Sequence, residues 1–470
     1  MTPSTGEGGS GRSAVPSAGM RRPRLTGVHG TARLPSTIRY LIVEVGMRVI
    51  VIGAGIGGLV LAQALHRAGE QVRIYDRDAA VSATGGYRLH LDERACAALR
   101  RHLAPEHYQA VLASSAGPAA FRQFAITDHR LRLLGLERQD PSAQRLLIGR
   151  IPLRRLLTHG LGEVLSFGTE YTHHQVHADG TVTAHFADGT SERADLLVGA
   201  DGVGSRVARS LAGRATSTPV GISGIAGRTP LDASTRDLVP DLLRAGPALA
   251  FAPGGVGVFF SLHDPVGAPA VDPATCQQVP AEVEPPLLVW GLTALDHLLP
   301  TDLRGGPPHD LLSVAAQLLT GWSPAVRDLV AATDASSPAA YRFHAADPDA
   351  DLTPWPAGPV TCLGDAVHAM PPTGGMAAAT AIRDADLLAT HLEAARTASS
   401  TLPVAVHDYQ RGMAAYAPDA VRESMAPLRW IRATGQPPGR LAARAVLPAA
   451  ALAARAYRGI SGRDRPVPVA

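Results

Sequence analysis

Val49-Ile50-Val51-Ile52-Gly53-Ala54-Gly55-Ile56-Gly57-Gly58-Leu59 is the stretch on which the fold turns. Four β-branched residues predict a short buried strand, and Gly53, Gly55 and Gly58 then satisfy the pattern G-x-G-x-x-G. Leu59, Ala62 and Leu65 recur at helical spacing, Gly69 ends that helix, and Val72-Arg73-Ile74-Tyr75 reads as a second strand. Strand, glycine turn, helix and strand together open a βαβ unit. The first glycine permits the tight turn, the second lets backbone approach a pyrophosphate, and the third lets helix and strand pack closely. The helix N-terminus adds unpaired N–H groups and partial positive charge. Asp76, 23 residues beyond Gly53, ends the second strand, where a carboxylate accepts hydrogen bonds from ribose hydroxyls and repels a 2′-phosphate. This pattern by itself admits either FAD or NAD.

Working outward, residues 1–46 are rich in Gly, Ser, Pro and Arg and read as a disordered leader, with Met47 a plausible true start. Gln175–Phe186 alternates around Asp179-Gly180, and with a second turn at Asp188-Gly189 it predicts a hairpin meander, which delivers the chain to a buried strand at Asp195–Gly199. Apolar segments between Ser217 and Phe343 alternate with Pro/Gly loops and predict a second sheet. From Ala377 onward the reading is helical, through Ile382–Leu392, Val404–Tyr416 and Arg440–Arg458, with Gly412 weakening the second helix and Pro448 kinking or splitting the third. The expected fold class is α/β, a Rossmann-like domain from residues 47–215 and 358–400. A mixed or antiparallel sheet from 216–357 is inserted in it, and 401–470 form a helical C-terminal region.

Composition narrows the classes. Of 470 residues, 46% are hydrophobic and 18% charged, which predicts a soluble globular chain with a sizeable core. The 44 basic and 41 acidic residues are interspersed, so no nucleic-acid partner is expected. Lysine is absent, which removes Schiff-base, phosphate-loop and catalytic lysines. Cys96, Cys276 and Cys362 suit neither a disulfide framework nor a zinc knuckle, and a reducing cytoplasm is the expected location. No apolar run or signal-peptide core implies a membrane partner. His173, His174, His177 and His185 crowd one hairpin without Cys or carboxylate support, so no metal is expected.

Two later motifs carry a family resemblance. Asp195-Leu196-Leu197-Val198-Gly199-Ala200-Asp201-Gly202-Val203-Gly204-Ser205 resembles the Asp-Gly motif of the single-component flavin hydroxylases, the p-hydroxybenzoate hydroxylase family. Leu363-Gly364-Asp365-Ala366-Val367-His368, followed by Pro371-Pro372-Thr373-Gly374-Gly375 and Asp384-Ala385, resembles its Gly-Asp motif. Order and separation agree with that family over about residues 47–420. The resemblance implies FAD, held by Gly53, Gly55, Gly58, Asp76, Asp201, Gly364 and Asp365. Asp365 would meet a ribityl hydroxyl, and Pro372, Gly375, Ala378 and Ala379 would pass beside the flavin ring. Gly149–Leu156 resembles the family's arginine-led helix, which makes Arg150 a candidate for the phosphate and ribityl region, while Arg77 resembles a residue packing near adenosine. His368 is expected to pack or hydrogen-bond locally, and Asp384 to cap or pack at the following helix.

The family's chemistry implies transient NAD(P)H as reductant, O₂, and oxygen transfer from a flavin C4a-hydroperoxide to a small aromatic or polyketide-like substrate in secondary metabolism. No catalytic residue is assigned. Arg88 and His90, in Gly86–Leu91, are weak candidates for orienting a substrate or for acid–base help, against the plainer reading of an exposed Arg and His beside a strand. Phe251, Phe259 and Tyr341 read as an aromatic wall or as plain core. The chain departs from the family at Ala377, where Gly is usual, at Ala379, where Asn is usual, and at Ala208, where Arg is usual. A positive φ at position 377 would strain alanine by roughly 1–2 kcal/mol. Arg206 and Arg209 stand near Ala208 as candidate substitutes, and the departure bears on nicotinamide handling. These departures keep open a non-redox cyclase that holds FAD structurally. A halogenase lacks its lysine, and the sequence carries no sign of oligomeric state.

Overall fold

The structure, a computed structural model, describes residues 46–85, 87–116, 118–140, 143–264, 271–303 and 307–461. The leader expected at 1–46 lies outside these residues except for Gly46.

Five parallel strands form the central sheet in the order Val360–Cys362, Leu196–Gly199, Arg48–Ile52, Gln71–Asp76, Leu165–Phe167. Helix Ile56–Arg67 makes the crossover from Arg48–Ile52 to Gln71–Asp76; Leu165–Phe167 then extends the sheet beyond Gln71–Asp76, and Leu196–Gly199 and Val360–Cys362 are added on the opposite side of Arg48–Ile52. That reversal is a topological switch point, where open α/β sheets bind ligands beyond the strands' carboxyl ends. The middle strands are continuous apolar runs because both their faces are covered: Val49, Ile50, Val51, Leu196, Leu197 and Val198 are at most 1% exposed. The expected meander is a three-stranded antiparallel sheet of Tyr171–Val176, Val182–Phe186 and Ser191–Ala194.

A second sheet of seven strands runs Ala339–Ala345, Thr218–Pro230, Leu287–Leu295, Val256–His263, Ala248–Ala252, Gln123–Asp128, Leu133–Arg138. All its pairings are antiparallel except Ala248–Ala252 with Gln123–Asp128. Its last two strands come from the segment that sequence reading grouped with the cofactor domain, because an edge hairpin joins a sheet by pairing rather than by chain order. A two-stranded ladder, Arg88–Leu91 with Leu146–Gly149, lies between. The fold is thus the expected Rossmann-like α/β body with an inserted mixed sheet and C-terminal helices.

Those helices are Ala377–Arg396, Leu402–Ala414, Ala417–Gly435 and Pro437–Ser461. Gly412 lies within helix Leu402–Ala414 and faces Leu387: a Cβ there would meet Leu387 Cδ2 at 2.8 Å, and that side chain would have to shift. Pro448 does not split its helix. Proline frees the carbonyl four residues back, and Arg444 is exposed enough for water to satisfy it. Among the described residues no helix is long and apolar enough to cross a membrane.

Candidate functional site: a cleft at the switch point

The glycine turn is held by close backbone approaches. Gly53 has φ 108°, and a Cβ on it would lie 2.2 Å from Ala200 O. A Cβ on Gly58 would lie 2.1 Å from Gly53 O, so helix Ile56–Arg67 meets the turn only because position 58 carries no side chain. Gly55 is the helix N-cap and has no side chain to cap the first amides; a Cβ there would meet only Ala200 O, at 4.0 Å. This leaves a cradle open to an incoming group, with helix N–H groups pointing at it.

Asp76 is partly engaged by the turn, its Oδ2 accepting from Ala54 N at 2.7 Å and its Oδ1 from Asp78 N at 2.8 Å. Arg154, which sequence reading missed, underlies the whole turn. Only 3% exposed, it donates from Nε to Ala54 O (2.8 Å), from Nη2 to Asp76 Oδ2 (3.1 Å) and from Nη1 to Asp78 Oδ2 (2.9 Å). The available signal was its spacing: Arg154 lies one turn beyond Arg150 on helix Arg150–Thr158, among buried leucines. Arg150 itself donates to Tyr87 Oη at 3.1 Å and sits with its Cζ 5.2 Å from that ring, at the edge of the cleft. Arg77 is exposed and lines the same cleft.

Across the cleft stands the Gly-Asp segment. Gly364 takes φ 63°, and Asp365 opens the one-turn helix Asp365–His368. Burial raises the Asp365 carboxyl above its ordinary range, and no hydrogen bond from the described residues satisfies it. A half-buried carboxylate that lines the cleft in this state fits an incoming hydroxyl donor. Asp384 is not a cap: it lies inside helix Ala377–Arg396, fully buried. Its Oδ2 accepts from Gly364 N (2.8 Å) and pairs with His368 Nε2 (2.6 Å), while its Oδ1 accepts from Tyr416 Oη. Burial pulls the His368 pKa down, but the Asp384 charge and hydrogen bond outweigh it and the net shift is upward.

Pro372–Gly374 forms a 3₁₀ turn, Gly375 takes φ 67°, and helix Ala377–Arg396 starts without a side-chain cap. The only positive-φ residues other than glycine among those described are Leu131 and Ala398. Ala377 is therefore unstrained: glycine supplies the left-handed conformation two residues earlier. Ala378 and Ala379 line the cleft at the helix N-terminus.

Asp201 spends both oxygens on its own turn. Its Oδ1 accepts from Ser205 Oγ, and its Oδ2 accepts from Arg206 N (2.8 Å) and more distantly Val207 N (3.4 Å). Ala208 is fully buried on the helix that follows, so an arginine has no room at that position. Arg206 lines the cleft while pairing with Glu170 and Tyr171 O.

The cleft encloses about 2510 Å³ and continues from these motifs onto the seven-stranded sheet. Ligand pockets commonly hold about 300–1000 Å³, so a dinucleotide and a second molecule can share it. Phe259 and Tyr341 line the far part half-buried; Phe251 also lines it while packing in a core cluster with Leu249, Phe343, Leu428 and Ile431.

Arg88 and His90 are not exposed, contrary to the plainer sequence reading. The Arg88 side chain is 1% exposed, pairs with Glu284 Oε2 at 3.2 Å and donates to Leu147 O; burial lowers its pKa to about 10. The His90 ring packs tilted against Phe121, with centroids 4.4 Å apart, and its Cβ lies 3.8 Å from where a Cβ on Gly375 would stand. Burial, then the Arg145 charge, pushes His90 below its ordinary pKa. The alternation of strand Arg88–Leu91 puts both side chains on its cleft side.

His263, which no motif marked, joins Arg88 and Glu284 in this layer: it is 3% exposed, and its Nε2 lies 3.1 Å from Glu284 O. Burial, reinforced by the Arg88 charge, lowers its pKa from 6.5 to about 4. The unfolded chain therefore takes up a proton below pH 6.5 that the native chain refuses. Stability from neutral His263 is full above pH 6.5 and is lost as pH falls toward 4, by up to about 3 kcal/mol. Denaturant titrations across that range should give a flatter pH dependence for His263→Gln than for the parent; parallel curves would refute it.

An open glycine cradle at a switch point, facing a half-buried carboxylate and an uncapped helix, defines a dinucleotide-binding α/β protein with a second sheet over its cofactor cleft. The chain belongs to the FAD binding domain family, whose pattern matches residues 46–245 and 324–423. It is 31% identical over 379 residues to the dual O-methyltransferase/FAD-dependent monooxygenase elcB of Phaeosphaeria nodorum, covering 72% of this chain and 39% of that protein. It is 28% identical over 372 residues to chloroplastic zeaxanthin epoxidase of Oryza sativa subsp. japonica, covering 74% and 49%. The chain thus spans half or less of the length of these curated relatives. Among solved structures, a candidate FAD-containing monooxygenase from Photorhabdus luminescens subsp. laumondii superposes with TM-score 0.70 at 29% identity, covering 83% of this chain and 98% of that one. Klebsiella pneumoniae HpxO, complexed with FAD and uric acid, shares the fold with TM-score 0.66 at 21% identity, covering 88% and 95%.

Proposed function

We propose that this protein is an NAD(P)H-dependent FAD monooxygenase that hydroxylates or epoxidises an apolar aromatic or polyketide-like small molecule. The observation that carries the reading is one continuous cleft, running from the glycine turn and Asp365 to an apolar wall on the seven-stranded sheet. Gly53, Gly55 and Gly58 leave room for the diphosphate against the helix N-terminus, and Asp76, held by Arg154, receives a ribose. Arg77 borders the adenosine side, and Arg150, steadied on Tyr87, serves the phosphate and ribityl region. Asp365 accepts a ribityl hydroxyl, with Gly364 setting its position, while Asp201 acts by shaping the turn beside Ala200. Pro372, Gly375 and the amides of Ala378 and Ala379 border the flavin ring, where a helix N-terminus stabilises negative charge.

Bound FAD, once reduced, supplies an electrophilic oxygen drawn from O₂. The protein's own share is position and dryness. Phe259, Tyr341 and Phe251 offer a wall for a flat apolar substrate, His90 lies beside the Gly375 turn, and the Arg88–Glu284 pair closes the layer behind it. Among the described residues one glycine-rich dinucleotide turn occurs, in keeping with a nicotinamide reductant that binds transiently. The relatives named as FAD-dependent monooxygenase and zeaxanthin epoxidase support the same chemistry. The unstrained Ala377 takes away one of the arguments for a non-redox cyclase.

Flavin-loaded protein should oxidise NAD(P)H faster with an acceptable substrate and insert one oxygen from labelled O₂. Full turnover without NAD(P)H or O₂ would sink this reading in favour of cyclisation. Gly291 gives a sharper handle on the wall: it pairs with Phe259, lines the cleft, and a Cβ there meets nothing within 4 Å. Gly291→Phe is expected to retain flavin and fold while raising KM for a substrate on the wall by at least about tenfold. An unchanged KM would move the substrate elsewhere in the cleft.

A further inference from the structure

The last described helix, Pro437–Ser461, has an outer face left exposed among the described residues. Its inner residues Ala443, Leu447 and Ala451 are buried against the protein. On the other side Leu441 is 66% exposed, Val446 53% and Leu452 67%, and Leu441, Ala445, Ala449 and Leu452 recur at spacings of four and three along one stripe. Trp430, on the preceding helix, is 40% exposed. Isolated exposed apolar residues are ordinary, but a stripe along one helix marks an interaction surface.

Charge tells what covers it. Residues 437–461 contain no Asp or Glu, and exposed Arg440, Arg444 and Arg455 follow one edge of the stripe at helical spacing. An apolar stripe edged by arginines suits the interface of an anionic bilayer, where leucines enter the acyl boundary and guanidinium groups meet lipid phosphates. A second copy of the same helix would bring two arginine rows together with no acid on either helix. The cleft opens here as well: Trp430 and Val446, both exposed, line it together with Leu447 and Ala450.

We propose that the outer face of helix Pro437–Ser461 docks the protein on an anionic phospholipid bilayer, with the mouth of the cleft turned toward the lipid. Docking of this kind needs no membrane-spanning segment, and it goes beyond the oxidation chemistry proposed above without depending on it.

The test is co-sedimentation of the flavin-loaded full chain with phosphatidylcholine vesicles, with and without phosphatidylglycerol. Binding is expected to the anionic vesicles and to weaken as salt is raised. Arg440→Gln/Arg444→Gln/Arg455→Gln should reduce the partition coefficient on the order of a hundredfold. Leu441→Ser/Leu452→Ser should reduce it about tenfold or more. Flavin content and thermal unfolding measured on the same variants keep a folding defect separate from a docking defect. Three results would overturn the proposal: no vesicle binding by the parent, equal binding to neutral and anionic vesicles, or binding that both variants retain. A concentration-dependent dimer that dissociates in the leucine variant would assign the face to a second copy instead.

Discussion

Gly58→Ala is expected to yield protein that purifies without yellow colour, its flavin affinity weakened by a hundredfold or more. The new Cβ would stand 2.1 Å from Gly53 O and 3.1 Å from Ala200 Cβ, and the first of these is backbone that no rotamer change relieves. Helix Ile56–Arg67 must move away from strand Arg48–Ile52, which carries its N-terminal amides out of the cradle. Overpacking of this sort also costs stability, about 1–3 kcal/mol. Gly55→Ala separates the two effects. Its Cβ has only Ala200 O, at 4.0 Å, for a neighbour, so folding should be normal while the methyl group obstructs a diphosphate. Flavin absorbance and denaturant titration read both variants. Full flavin binding by Gly58→Ala would show that the turn is not where the dinucleotide sits.

Arg154→Met should be the most damaging single change away from the glycines. Its guanidinium is buried and shared among Ala54 O, Val81 O, Asp76 and Asp78, so its removal takes a donor from two carboxylates and two carbonyls. Breaking a buried pair by deleting one partner costs about 3–5 kcal/mol. Asp78 is partly exposed, and water softens that share of the loss. The denaturation midpoint should fall and flavin should be lost together, since Asp76 would turn from its place beside Ala54. Arg154→Lys keeps the charge but not the fork, and should recover only part of either property. Loss of flavin with an unchanged midpoint would mean that Arg154 contacts the cofactor rather than holding the turn.

These two residues show how differently parts of the site could be read. Gly58 was legible from sequence because its role is local: strand, turn and helix are consecutive, and the spacing of the glycines encodes their packing. The turn that brings Gly364 and Asp365 to the cleft is encoded by a motif of the same local kind. Arg154 was not, because its partners Ala54, Asp76 and Asp78 are about 75–100 residues away and nothing in its own segment requires them. His263, Glu284 and Tyr416 share that difficulty. Tyr416 reaches the cleft, and His263 and Glu284 reach the layer around Arg88, each from a remote segment, and these contacts arise only when the sheets and helices close.

The departures from the family pattern divide along the same line. Alanine at 377 could be read as strain only by supposing a positive φ, and it is Gly375 that has it. Ala208 read as a missing arginine, yet it lies in the core, where its fully buried position leaves no space for one. Backbone conformation and burial are properties of the assembled chain, and a one-dimensional pattern carries neither.

By itself, then, the amino-acid sequence determined the parallel α/β unit, the dinucleotide turn at Gly53–Gly58 and the family to which the Asp201 and Asp365 motifs point, because each depends on residues close together in the chain. Tertiary structure alone decided that Arg154 and Asp384 are buried hubs, that Arg88 is paired with Glu284, and that strands Gln123–Asp128 and Leu133–Arg138 extend the second sheet. It also decided that the cleft reaches the surface at Trp430 and Val446. Those outcomes rest on desolvation and on contacts between distant segments, whose energies exist only after the chain has packed.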